Sequence, residues 1–103
     1  MKDSMDADQG LLHDSRLAAL RREIERIGAE ALLVFCLEGK NWENIFFLCG
    51  FRGTHSALLV DRQRALLITD GRYLKQAKEQ TSIEVADQGN EGLFLSAKRT
   101  LNE

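Results

Sequence analysis

Apolar side chains recur at spacings of three and four through Leu17, Leu20, Ile24 and Ile27, and this one-faced period predicts an amphipathic helix. Asp14 or Ser15 is placed to accept hydrogen bonds from its first free amides. Gly28 is placed to stop it, because glycine enters the left-handed conformation at little cost. Residues 1–13 show no period and read as a flexible lead-in, with Met5 as a second candidate start. The pattern then changes. Residues 31–36, Ala-Leu-Leu-Val-Phe-Cys, form an unbroken apolar run of strand length, which predicts a central strand covered on both faces. Residues 38–44 are polar and contain Gly39, so a loop is expected, and 45–48 is an apolar segment compatible with helix or strand.

Two short apolar runs, 56–60 and 65–68, flank Asp61-Arg62-Gln63-Arg64, a polar connection of hairpin length, and predict an antiparallel pair. Asp70 is expected to cap a helix that buries Tyr73, Leu74 and Ala77, with a short strand at 83–85 beyond it. Asn90 is expected to cap a last helix with the stripe Leu93, Phe94, Ala97 and Leu101. The elements together predict an α/β domain, a mixed β-sheet with helices packed on it. Glu103 ends the chain where a helix dipole favours positive charge, so the natural polypeptide is expected to continue.

Composition narrows the function. With 44% hydrophobic and 29% charged residues over 103 positions, the chain is an ordinary globular domain with one modest core. Fourteen basic against 16 acidic residues supply no positive field to gather phosphates, so nucleic acid is not an expected partner. No apolar run approaches the roughly 20 residues of a membrane-spanning helix, and no signal sequence is seen, so the cytoplasm is the expected setting. Cys36 and Cys49 lie among apolar neighbours and read as buried thiols.

Candidate chemistry is sparse. His13 and His55 are far apart and there is no Cys-x-x-Cys, so neither a metal site nor a catalytic set is expected within these residues. His55 beside Thr54 and Ser56 could activate a hydroxyl, yet chain neighbours rarely face one another, and a turn satisfying its own hydroxyls is the better reading. Gly50-Phe51-Arg52-Gly53 lacks the Lys-Ser/Thr ending of a phosphate loop and reads as a tight turn. In Thr69-Asp70-Gly71-Arg72-Tyr73, Arg72 is expected to pair with a nearby acid.

Taken together, the stretch 44–54 (Asn-Ile-Phe-Phe-Leu-Cys-Gly-Phe-Arg-Gly-Thr), the hairpin, Thr69-Asp70-Gly71-Arg72-Tyr73 and Gln76-Ala77 resemble the N-terminal domain of the creatinase, prolidase and aminopeptidase P family. That family's first stretch commonly runs Asn-Ile-x-Tyr-Leu-Thr/Ser-Gly-Phe-x-Gly-Ser. Phe47 stands here for the tyrosine and Cys49 for the hydroxyl residue, and His55-Ser56 fall where smaller residues are common. The resemblance implies a ribonuclease H-like fold over 14–103, C-terminally incomplete, with Asn44, Gly50, Phe51, Gly53, Asp70, Gly71, Arg72 and Tyr73 as its structural motif. It implies a parent Xaa-Pro peptidase whose divalent metal pair (Mn, Co or Zn) sits in a separate "pita-bread" catalytic domain absent here, so this chain alone is expected to be inactive. It further implies a homodimer or contact with the catalytic domain. The loop 38–43 would reach the mouth of a partner's active site through Glu38, Lys40 and Trp42, touching peptide substrate only indirectly. The alternative reading is a stand-alone, non-enzymatic peptide- or protein-binding module derived from that family.

Overall fold

The computed structural model describes residues 4–102, with side chains from residue 10 onward. Helix α1 runs Ser4–Arg26 and strand β1 Ala31–Cys36. Helix α2 (Trp42–Cys49) precedes the hairpin of β2 (Ser56–Asp61) and β3 (Ala65–Thr69). Helix α3 (Leu74–Gln80), β4 (Glu84–Asp87) and α4 (Leu93–Leu101) complete the order. The sheet order is β1-β2-β3-β4, with β1, β2 and β3 antiparallel and β4 parallel to β3, so the mixed α/β sheet expected from the sequence is present.

The end of α1 follows its sequence closely. Gly28 takes φ +76°, its amide donates to Glu25 O and the Ala29 amide reaches back to Ile24 O at 3.0 Å. These two bonds satisfy carbonyls that a helix end otherwise leaves open. The start differs from expectation. Asp14 and Ser15 lie inside α1 rather than at its cap, and His13 is buried on the helix rather than in a lead-in; residues 1–3 lie outside the described residues. Ile27 is 64% exposed, because the chain leaves the helix there and turns its side chain off the packed face.

Two apolar layers sandwich the sheet. On one face, Cys36, Leu58, Val60 and Leu67 pack with Leu17 and Ile24 of α1, Ile45 and Cys49 of α2, Phe51, and Ala77 of α3. On the other, Ala57, Leu66 and Ile68 meet Leu93 and Ala97 of α4. Each fully buried leucine contributes about 1.5–3 kcal/mol relative to exposure, so β2 and β3 are the energetic centre. Strand β1 is therefore not central. It is an edge strand, half-exposed along most of its length, because β2 covers only one of its two edges.

Segment 45–48 is helical. Gly50 closes α2 at φ +90°, its amide donating to Phe46 O, and a β-carbon there would lie 2.8 Å from Gln80 O. Asp70 does not cap α3, which begins beyond Tyr73; its carboxylate instead receives the Arg72 amide and holds a turn. Asn90 is likewise not the cap of α4, since Gly92 precedes its first residue. The buried stripe of α4 is Leu93, Ser96, Ala97 and Thr100, while Phe94 is 67% exposed and Leu101 faces solvent. Thr100 fits this stripe because its hydroxyl donates to Ser96 O at 2.8 Å.

Candidate functional site

Three loops meet at one end of α2. After β1, Glu38 (φ +54°) and Gly39 (φ +79°) form a tight turn of the type that needs two left-handed residues, closed by the Lys40 amide on Leu37 O. The Gly39 amide donates to Thr54 O at 2.9 Å. Thr54 Oγ1 in turn lies 2.6 Å from Tyr73 Oη, and the Phe51 and Tyr73 rings meet edge to face at 5.9 Å between centroids. The two glycine-containing stretches of the sequence thus come together through Tyr73.

Most of the motif residues hold this junction in place. Asn44 Nδ2 donates to Asn41 Oδ1, and Asn41 Nδ2 donates to Phe35 O, which ties α2 to the end of β1. Gly53 is required because a β-carbon would come within 2.2 Å of the Phe51 ring. Arg72 pairs with Asp70 at 2.8 Å, the acid expected from sequence, and this guanidinium holds the Asp70 carboxyl below its ordinary range. Gly71 has ordinary φ and open space around it, so the structure assigns it no steric role.

Beside the junction lies an open cleft of about 310 Å³ lined by Trp42, Arg52 and Thr54. Trp42 is half-buried, packs on the core of its own domain and lies 5.8 Å from the Phe46 ring. The Arg52 guanidinium stacks 4.6 Å above Phe46, and its backbone amide is held by Gln80 Oε1. Next to it, Arg16 stacks on Phe47 at 3.8 Å while donating to Phe47 O. Glu38 and Lys40 are exposed on the turn, whereas Trp42 and Glu43 belong to α2 and not to a loop. Sequence reasoning selected Trp42 but missed Arg52 and Thr54, its partners in the cleft. The available signal was a lone basic side chain held between Gly50 and Gly53.

Other groups are committed elsewhere. A wider basin of about 400 Å³ lies by the hairpin turn, lined by Gly28, Glu30, Asp61, Arg62 and Gln63. Its Asp61 carboxylate is occupied by the Gln63 and Arg64 amides. Burial pushes that carboxyl up, but the two amides and the Arg64 guanidinium outweigh this and lower it. His55 Nε2 lies 3.0 Å from Gln88 Oε1 rather than on a hydroxyl, and Ser56 Oγ is buried with no partner among the described residues. The turn therefore does not satisfy both of its hydroxyls, since Thr54 is served by Tyr73 and Ser56 by nothing. Burial pushes the Cys49 thiol up to about 11 and raises Cys36 as well, so neither is a ready nucleophile. Among the described residues no three His, Cys, Asp or Glu side chains converge to hold a metal ion.

Residues 16–102 match the family model for the creatinase/prolidase N-terminal domain. The chain belongs to this family. Among solved structures, the X-Pro aminopeptidase of Thermotoga maritima MSB8 is 32% identical with a TM-score of 0.74, over 84% of this chain and 23% of that one. The N-terminal domain of the cytoplasmic peptidase PepQ from Mycobacterium tuberculosis H37Rv is 36% identical with a TM-score of 0.65, over 73% of this chain and 56% of that one. The prolidase of Pyrococcus horikoshii OT3, at 16% identity and TM-score 0.66, shares the fold. A search of curated proteins finds no sequence match. The chain thus spans about a quarter of the length of the Thermotoga enzyme and carries an N-terminal domain of the Xaa-Pro peptidase family. No described helix is long and apolar enough to cross a membrane.

Proposed function

We propose that this chain is the non-catalytic N-terminal module of a metal-dependent Xaa-Pro peptidase, and that its Trp42 face contributes to a subunit interface and to access to the active site. The observation that carries this reading is the 32% identity and 0.74 TM-score to the Thermotoga X-Pro aminopeptidase over 84% of the chain. Hydrolysis would occur in a separate catalytic domain, where a divalent pair (Mn, Co or Zn) supplies an activated water and polarises the scissile carbonyl. A cytoplasmic setting and a homodimer belong to the same reading, the first supported by the cytoplasmic peptidase PepQ among the structural relatives. The second reading, a stand-alone peptide-binding module, is favoured by one observation: the Trp42, Arg52 and Thr54 cleft is built entirely from this chain.

The test is a domain exchange in which this chain replaces the N-terminal domain of the Thermotoga enzyme. The expected result is no Xaa-Pro hydrolysis by the isolated chain with Mn, Co or Zn, and restored hydrolysis by the chimera. In the chimera, Trp42→Ala is expected to change KM more than kcat. Metal-dependent turnover by the isolated chain, or a folded chimera without activity, would overturn the reading.

A further inference from the structure

We propose that His13 is a proton-sensitive latch: as the neutral imidazole it seats the first turns of α1 on Gly50, and on taking a proton it releases them. The release also loosens the turn that begins at Gly50.

The case begins with the position of His13 on its helix. Leu11 and Leu12 are exposed, His13 is the first fully buried side chain described along α1, and Leu17, one turn on, is the next. The turns from Ser4 to Leu12 therefore reach the body of the domain through His13 first and then through Arg16, which stacks on Phe47. A helix end held by so few buried contacts opens at lower cost than the rest of the fold.

The seat is tight. A β-carbon on Gly50 would lie 2.9 Å from His13 Cε1 and 2.8 Å from Gln80 O, so α1, the end of α2 and the end of α3 meet where only a hydrogen fits. Gly50 cannot yield alone, because its φ of +90° and its amide bond to Phe46 O close α2. No hydrogen bond reaches either ring nitrogen, so the seated ring has no acceptor engaged to receive an added proton. A charged imidazole needs hydration, and this ring gains it by leaving.

The surrounding charges do not reverse that balance. On its own helix Arg16 opposes the proton and Asp14 favours it less. Helix α2 brings the Cys49 thiol, which stays neutral because burial pushes it up to about 11. The turn brings Arg52, a further cation, stacked on Phe46, and α3 brings the exposed Lys78 and Glu79, whose charges are opposite. Burial and Arg16 hold the seated His13 below its ordinary value, so a proton favours the ring that has left its seat. Gly50 is also the first residue of the turn that carries Arg52 to the cleft beside Trp42, and the backbone transmits the release to that cleft.

The latch goes beyond the peptidase reading and belongs to this chain alone. It is tested by an NMR titration of the 103-residue chain between pH 7.5 and pH 5. The His13 ring signals are expected to titrate with a midpoint below 6.5, and the amides of Leu12, Gly50 and Arg52 to shift with that midpoint. Emission from Trp42, the only tryptophan, should follow it too. His13→Gln should abolish these shifts and leave those of the His55 ring in place. His13→Lys, charged throughout, should show the released amide positions already at pH 7.5; should it fail to fold, the wild-type and His13→Gln titrations decide. A His13 midpoint at or above 6.5 would overturn the inference, because the seat would then favour the charged ring. So would amides or Trp42 emission that ignore the His13 midpoint, or a pH response that survives His13→Gln. Loss of all amide signals together would overturn it as well, since that is global unfolding and not the release of one latch. An inactive chimera with the titration intact would sink the peptidase reading and spare this inference.

Discussion

The two faces of the sheet are built to different standards. Helices α1, α2 and α3 close one face with Leu17, Ile24, Ile45, Cys49, Phe51 and Ala77 over Leu58, Val60 and Leu67. The other has only the nine residues of α4, which bury Leu93 and Ala97. Leu33 and Phe35 of β1 stay half-covered there, with Phe35 stacked on the 67% exposed Phe94 at 6.1 Å. The lesson is that the fold draws its stability from one side and keeps an apolar surface on the other. The cleft of Trp42, Arg52 and Thr54 lies at the end of α2, on the well-packed side, where its rings can be held still.

This asymmetry can be challenged directly. The largest effect is expected from Leu58→Ala on the closed face: a fully buried leucine lost to a cavity should cost about 3 kcal/mol, roughly 15 °C in a thermal melt. A shift no larger than that of an exposed-site variant would show that the closed face is not the anchor. Gly53→Ala, whose β-carbon would meet the Phe51 ring at 2.2 Å, should cost about 2 kcal/mol by displacing that wedge.

A smaller effect is expected at His13, buried against Gly50, where burial and the nearby Arg16 hold its pKa below 6.5. Because the folded value is the lower one, protonation favours the unfolded chain. Stability should be complete above pH 6.5 and fall as pH drops below it. His13→Gln should flatten that limb in melts between pH 7 and pH 5, while the acid limb owed to Asp61 and Asp70, whose pKa values are depressed below 3.8, should persist at lower pH. The smallest effect belongs to the open face. Phe94→Ser should change stability by less than about 0.5 kcal/mol while raising the monomer fraction in size-exclusion chromatography.

Much of the architecture was legible in the sequence, for identifiable reasons. The α1 period and its glycine stop are local signals, as is the hairpin around Asp61, whose carboxylate binds the turn amides directly. What was not legible depended on tertiary context. The α2 segment is apolar on nearly every side, because its aromatic rings serve as platforms for Arg16 and Arg52, and this erased any period that would separate helix from strand. The apolar run of β1 suggested full burial, yet nothing local to a strand records how many neighbours it has. The α4 stripe was misread because Ser96 and Thr100 bury hydroxyl-bearing side chains, while the larger Phe94 and Leu101 face outward. The cleft was half visible: a tryptophan announces itself, but that Arg52 stacks on Phe46 beside it is recognisable only once the fold brings the Gly50–Gly53 turn onto α2.

The free edge of β1 carries a further consequence, one of time and concentration. The opposite edge, β4, is short and bears Glu84 and Asp87, whereas β1 offers six residues without a charge, a proline or a bulge. Edge-to-edge encounter is second order, so doubling the amount of chain quadruples its frequency while intramolecular folding keeps its own pace. The chain should therefore have a crossover concentration, governed by residues 31–36 and not by its melting temperature, above which recovery of folded monomer falls however stable each molecule is.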